Sequence, residues 1–211
     1  KADVTMKDAE GTPPLSMMMP LQKAQALIEI LLASNADPSV KDKNGNTALH
    51  IAIINGYNSA VLAMLLAKGG KTLADSSNSD GNTALSLAIT MKRYDVLKTL
   101  AESGANPFIE NKNGLSSLHL AYNDGKDAVS QLISVYPSDI RDASGNSFLH
   151  HAVKSKASPE IIKLLLEWMK QASPKNNDGD TPLHTACVMN LKEQGELLLA
   201  AHADIFSTNA R

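Results

Sequence analysis

Three groups of residues in this 211-residue chain have types and spacings that chemistry uses. His184 and Cys187 stand three apart, so on a helix they share a face, and an imidazole beside a thiol is the arrangement of an activated cysteine nucleophile. Gly70-Lys71-Thr72 has the ending of a phosphate-binding loop, where a lysine reaches the terminal phosphates and a hydroxyl meets magnesium. Four histidines, His50, His119, His150 and His184, each follow a glycine by five residues, a regularity that raises the question of a metal or a general base. None of the three withstands closer reading. Leu65 occupies the position where the phosphate-loop motif needs its first glycine, and the segment leaves a helical pattern instead of following a strand. Cys187 falls at a small-residue position that should pack against a neighbour, which predicts a buried, inert thiol. His151 and His202 stand outside the recurring slot and have no partner pattern, and no carboxylate pair, paired-cysteine site, calcium loop or dinucleotide motif is present. The expectation is a chain with no catalytic residue, no metal and no cofactor.

The elements that would carry these residues recur. Six stretches begin at Gly11, Gly45, Gly81, Gly114, Gly145 and Gly179, with spacings of 34, 36, 33, 31 and 34 residues. Three residues before each glycine stands an Asx residue (Asp8, Asp42, Asn78, Asn111, Asp142, Asn176), which can bond its own turn while the glycine supplies a positive φ. Thr or Ser follows two residues after the glycine in five of the six, where a hydroxyl caps a helix start, and Pro182 suits a first turn. About a dozen residues on, a second apolar segment appears each time, such as Leu27 to Leu32, Val61 to Leu66, Ile161 to Leu166 and Glu196 to Leu199. The period predicts a β-turn, a short helix and a second helix in every unit.

This order of motifs resembles the ankyrin repeat. Gly179-Asp180-Thr181-Pro182-Leu183-His184-Thr185-Ala186 is the nearest copy of that family's first half, and Ser103-Gly104-Ala105-Asn106-Pro107 and Ser34-Asn35-Ala36-Asp37-Pro38 are the nearest copies of its later turn. The resemblance implies an all-α solenoid of about six helix–turn–helix units joined by β-turn fingers, over residues 8–40, 42–75, 78–109, 111–140, 142–174 and 176–206. Residues 207–211 look like the start of a further unit, so the chain is expected to be a fragment of a longer protein. Gln194 and Gly195 argue the other way, as a polar pair suits a terminal cap. The resemblance also implies that the recurring histidine is structural, bonding nearby backbone.

Composition agrees and excludes several functions. A share of 4% aromatic residues is low for a single large core, but suits thin layers of Leu, Ile, Met and Ala, with Ala52, Ala88, Ala121, Ala152 and Ala186 letting neighbouring helices approach. With 20 basic against 22 acidic side chains there is no footprint for tracking phosphates, so nucleic acid is not expected as a partner. The longest apolar run, Ala60 to Ala67, is too short to enter and cross a bilayer. One cysteine allows no internal disulfide and fits a reducing, cytoplasmic compartment. Departures from the period are expected to matter locally. The Met17-Met18-Met19-Pro20 run should shorten the first helix and fill an irregular gap in the core, and the long segment from Gly69 to Asn78 should form an extended or mobile finger.

What remains is a binding surface. Carried over from the family, the finger tips would present Lys43, Asn44 and Asn46; Asp80 and Asn82; Lys112, Asn113 and Leu115; Ser144 and Asn146; Asp178 and Asp180. The ends of the first helices would add Ile54 and Asn55, Thr90 and Met91, Asn123 and Asp124, Lys154, and Val188 with Met189. Apolar anchors inside a polar rim suit another protein as partner, bound by a monomeric scaffold. The alternative expectation is the targeting arm of a larger protein, such as a secreted bacterial effector acting in a host cytoplasm, with its activity outside this fragment.

Overall fold

A computed structural model describes residues 4, 6–8, 11–19 and 25–210; Pro20 and Arg211 lie outside the described residues. The chain divides into two compact units, residues 1–117 and 118–211. The first contains three helix pairs: α1 (Pro14–Met18) with α2 (Gln25–Ala33), α3 (Ala48–Ile54) with α4 (Ser59–Ala74), and α5 (Ala84–Thr90) with α6 (Leu97–Glu102), the last introduced by a 3-10 turn at Tyr94–Val96. The second contains α7 (Ser117–Asp124) with α8 (Lys126–Ile133), α9 (Phe148–Lys154) with α10 (Pro159–Met169), and α11 (Pro182–Val188) with α12 (Lys192–Ala200). The described residues contain isolated β-bridges, Ser77 with Thr83 and Glu110 with Ser116, and no longer strand.

Each unit is built outward from its turn. Asp42 accepts the amides of Asn44 and Asn46 at 2.8 Å on one carboxylate oxygen, while the Gly45 amide donates to its carbonyl and Gly45 takes φ +73°. Asn78, Asn111, Asp142 and Asn176 organise their turns in the same way. The residue two beyond the glycine then caps the helix. The hydroxyls of Thr83, Ser147 and Thr181 accept the amide three residues on, and at Thr47, Ser147 and Thr181 the histidine answers, its Nδ1 accepting the cap residue's own amide at 3.1 to 3.2 Å. These helices have only seven residues, too few to persist alone. They are held by burial: Leu49, Leu85, Leu118 and Leu149 are fully enclosed, as are the five first-helix alanines, and α3 packs on both α4 and α5 while α9 packs on α10 and α11.

Aromatic residues enter the second unit where the pattern is irregular. Phe148 is buried between Tyr136 and Trp168, with ring centroids at 6.3 and 5.4 Å. The buried Tyr122 hydroxyl donates to the Phe148 carbonyl at 2.9 Å, and burial pushes its ionisation far up.

Two expectations are corrected. Residues 69–74 do not form an extended finger. They add another turn to α4, bent at Gly70 (φ 58°, ψ −156°), because Leu73 and Ala74 are buried and Lys71 donates to the Gly104 carbonyl at 2.7 Å. Cys187 is exposed, not buried. The equivalent slot holds Ile53, Ile89, Tyr122 and Val153 in the preceding helix pairs, all buried, so the exposure of Cys187 does not follow from its residue type. The methionine run divides: Met19 is fully buried as a core filler and Met17 is exposed.

Candidate functional site

The finger tips are rigid because successive turns bond to one another. In the first unit the Asn78 side-chain amide donates to Asn46 Oδ1 at 3.1 Å and the Ser79 amide to the Asn44 carbonyl at 3.0 Å. One finger further, Asn111 donates to Asn82 Oδ1 at 2.9 Å and the Lys112 amide to the Asp80 carbonyl at 3.0 Å. The second unit repeats the pattern, Asn176 to Asn146 at 2.9 Å with the Asn177 amide to Ser144, then Asn209 to Asp180 at 2.7 Å with the Ala210 amide to Asp178. Each rung therefore pairs one side-chain amide bond with one backbone bond.

This ladder sorts the sequence candidates. Asn46 is buried between Asp42 and Asn78 and presents no open surface. Asn82, Asn146 and Asp180 are half-buried and face the next finger, and Leu115 is half-buried on its own turn. Burial takes Asn46 out of the outer surface, and the side chains of Asn82, Asn146 and Asp180, each the residue after the glycine, are engaged by the next finger. Lys43, Asn44, Asp80, Lys112 and Asn113 are exposed at the tips of the first unit, and Ser144 and Asp178 at those of the second.

At the ends of the first helices, Ile54 is 44% exposed and Met91 43%. Beside them the Asn55 amide turns back to the Ile51 carbonyl at 2.9 Å and the Thr90 hydroxyl to the Ser86 carbonyl at 2.9 Å. The first unit thus places two apolar side chains next to polar ones on adjacent, packed helices. In the second unit Asn123, Asp124, Lys154, Val188 and Met189 are exposed at the corresponding ends.

The titratable groups are tied to structure. His50 and His150 are buried, each with Nε2 3.0 Å from the next finger's carbonyl, Asn82 and Asp180. Because Nδ1 accepts the cap amide, the proton sits on Nε2 and the ring is neutral. Burial holds both below the ordinary histidine value, against the raising effect of those carbonyls. Sequence reading missed one pair: His151 Nε2 lies 2.9 Å from Asp142 Oδ2, with the His119 ring edge-on at 6.1 Å. Burial pushes the Asp142 carboxyl up, but Asn146 and His151 outweigh it and the net position is below the usual carboxylate range. Among the described residues no group of three or more His, Cys, Asp and Glu could hold a metal ion. His184 and Cys187 share α11, yet the His184 Nδ1 is already engaged by the Thr181 amide and hydroxyl. No helix of the described residues is long and apolar enough to cross a membrane.

Comparison with known proteins agrees with this geometry. A family model described as ankyrin repeats (3 copies) matches residues 17–111 and 118–209. The chain is 26% identical over 201 residues to the nuclear factor NF-kappa-B p105 subunit of Gallus gallus, covering 95% of this chain and 17% of that protein. It is also 26% identical to the B-cell lymphoma 3 protein homolog of Mus musculus, covering 92% of this chain and 44% of that one. It therefore spans less than half the length of either relative. The crystal structure of the ankyrin repeat domain of Bcl-3, a member of the IkappaB protein family, superposes with a TM-score of 0.67 at 25% identity over 95% of this chain and 91% of that one. A chain from the complex of the Bd0816 predatory endopeptidase of Bdellovibrio bacteriovorus with immunity protein Bd3460 shares the fold, with a TM-score of 0.53 at 22% identity over 92% and 99%. With the capped seven-residue helices, the Asx turns and the finger ladder in place along both units, the chain belongs to the ankyrin-repeat family.

Proposed function

We propose that this chain is a non-enzymatic protein–protein interaction module, and that in its first unit it holds a protein partner through the finger tips and the ends of α3 and α5. The observation that carries the reading is the pair Ile54 and Met91, two large apolar side chains nearly half exposed on adjacent helices, bordered by Asn55 and Thr90 and by the tips Lys43, Asn44, Asp80, Lys112 and Asn113. Well-packed apolar anchors with a polar surround are where binding energy concentrates, and fingers fixed by the ladder lose little freedom on binding. Asn123, Asp124, Ser144, Lys154, Asp178, Val188 and Met189 form the corresponding candidate surface of the second unit. The lone cysteine fits work in a reducing cytoplasm. Relatives of the IkappaB kind and a fold neighbour drawn from an enzyme–immunity protein complex point the same way.

The test is the double variant Ile54→Asp with Met91→Asp, compared with Lys98→Asp on the exposed side of α6. Both proteins should keep the wild-type helical signal. Photo-crosslinking from position 44, at an exposed finger tip, in a lysate should give a discrete adduct that the double variant loses and Lys98→Asp keeps. Retained capture by a folded double variant overturns the surface assignment.

A further inference from the structure

We infer that Arg93 is a positioning residue for the binding surface of the first unit: its guanidinium, oriented by Asp95, ties the end of α3 to the end of α5 and so fixes the spacing of Ile54 and Met91. Its role in capture rests on the surface proposed above. Arg93 stands in the turn after α5, where the amides of Met91, Lys92 and Arg93 donate back to the carbonyls of Leu87, Ile89 and Ala88. Its backbone is thereby fixed to the helix that carries Met91. From there the side chain crosses to the preceding helix pair. Nη2 donates to the Tyr57 carbonyl at 2.6 Å and Nη1 to that of Ile53 at 3.4 Å, and Nη1 lies 3.7 Å from where a Cβ on Gly56 would stand. The last carbonyls of a helix need partners from outside it. That of Ile53, in the last turn of α3, takes one bond from the Gly56 amide and its second from Arg93, and it is joined through its own peptide bond to Ile54. One planar cation thus reaches the backbone beside each anchor.

The contacts need a fork. Arginine presents its donors in one rigid plane, so it can serve carbonyls on one side while a carboxylate holds the other. Asp95 supplies that carboxylate: Nε donates to Oδ1 at 2.9 Å and Nη2 to Oδ2 at 2.8 Å, a bidentate pair that leaves the guanidinium one orientation. The Arg93 side chain is 18% exposed against 57% for Asp95, which puts the cation between the two turns and the carboxylate on the solvent side. The bond from Arg93 holds the Asp95 carboxyl below its ordinary range, against the opposing effect of burial. The same slot, five residues after the alanine of each first helix, holds Tyr57, Arg93, Lys126, Ala157 and Leu191. Ala157 and Leu191 have no side-chain donor, so the ends of α9 and α11, with Lys154, Val188 and Met189, gain no tie from this slot. In the first unit the apolar anchors are held at a set separation before a partner arrives, and groups already ordered lose less freedom on binding.

Nitroxide labels at Ile54→Cys and Met91→Cys, on a Cys187→Ser background that removes the lone native thiol, report the spacing through their dipolar broadening in electron paramagnetic resonance. The spread of separations should be about twofold wider in Arg93→Gln than in the labelled parent, and wider also in Asp95→Asn, as two turns are released from each other. Arg93→Lys restores the charge without the fork and should stay wide, while Lys98→Asp should stay narrow. A parent-like spread in folded Arg93→Gln overturns the inference, and so does full restoration by Arg93→Lys, which would make charge alone sufficient. Should Arg93→Gln lose its helical signal, Asp95→Asn decides: it removes the orienting carboxylate and leaves the arginine in place, and a parent-like spread there overturns the inference. In the unlabelled chain, crosslinking from position 44 should fall about tenfold in Arg93→Gln with both anchors intact, because their ordering then falls to the binding step. A wider spread with undiminished capture overturns the inference and leaves the surface assignment standing. A wild-type chain that gives no adduct overturns the surface assignment, and the spread of separations alone then decides whether Arg93 holds the two helix ends.

Discussion

Gly81→Ala isolates what the contact between fingers contributes, because Gly104→Ala is a matched control. Both glycines have φ +82°, so an alanine at either meets the same penalty for a left-handed backbone, about 1–2 kcal/mol, offset by roughly 0.4–1 kcal/mol from a less flexible unfolded chain. Their surroundings differ. A Cβ at Gly104 meets only the Lys71 side chain at 3.5 Å and beyond, whereas at Gly81 it would lie 2.7 Å from the Lys112 nitrogen and 2.9 Å from Asn111 Cα, both backbone atoms that cannot swing aside. The fingers must part, which breaks the Lys112 amide bond to Asp80 and the Asn111 bond to Asn82. At about 0.5–1.5 kcal/mol each, the excess loss should be about 1–3 kcal/mol over the control. Urea unfolding gives the difference in stability, and amide exchange locates it: Lys112 should lose protection in Gly81→Ala and keep it in Gly104→Ala. Equal destabilisation of the two variants, or an unchanged Lys112 amide, would refute the ladder as a source of finger rigidity.

Acid should loosen the fold near the ordinary histidine pKa. His50 and His150 are held below their unfolded value by burial, so the stability they contribute is full above pH about 6.5 and is lost as the pH falls toward their folded values. Thermal melts from pH 7.5 to 5 should fall with pH, less steeply in His50→Gln; a flat profile contradicts the neutral assignment. At the other extreme the Tyr122 hydroxyl resists ionisation in the fold, so its contribution is lost as the pH rises above about 10. Tyr122→Phe should remove that alkaline loss and cost about 0.5–1.5 kcal/mol at neutral pH, the net contribution of its bond to the Phe148 carbonyl, as read by urea titration.

The period was legible because the turn is chemically narrow: an Asx residue, a glycine at positive φ three later and a capping hydroxyl two beyond it leave few substitutes. Less was legible wherever a side chain's fate depends on the neighbouring layer. Asn46, Asn82, Asn146 and Asp180 form a visible column in the sequence, but their being turned toward the next finger follows from the separation of fingers, which no single period encodes. Cys187 shows the same dependence in reverse. Its slot is apolar and buried in the units before it, so residue type predicts burial, and yet the thiol is exposed. The helical 69–74 segment hides for a third reason, as paired glycines argue against helix while the burial of Leu73 decides for it.

The ladder also explains how the tips can carry recognition without weakening the fold. At the outermost positions the bonds between fingers are made by backbone: the carbonyls of Asn44, Asp80, Ser144 and Asp178 accept, and the amides of Ser79, Lys112, Asn177 and Ala210 donate. A change of side chain there leaves those bonds in place, and residues of opposite charge, Lys43, Asp80, Lys112 and Asp178, occur at the tips. One position inward the fold depends on the side chains, and four of the five residues after the glycine from Gly45 onward are Asn or Asp. Alanine at Asn82 should therefore disturb stability more than partner capture, and alanine at Asp80 capture more than stability. Reversal of that order, in paired urea and crosslinking measurements, would mean that the inner column and not the tip carries the contact.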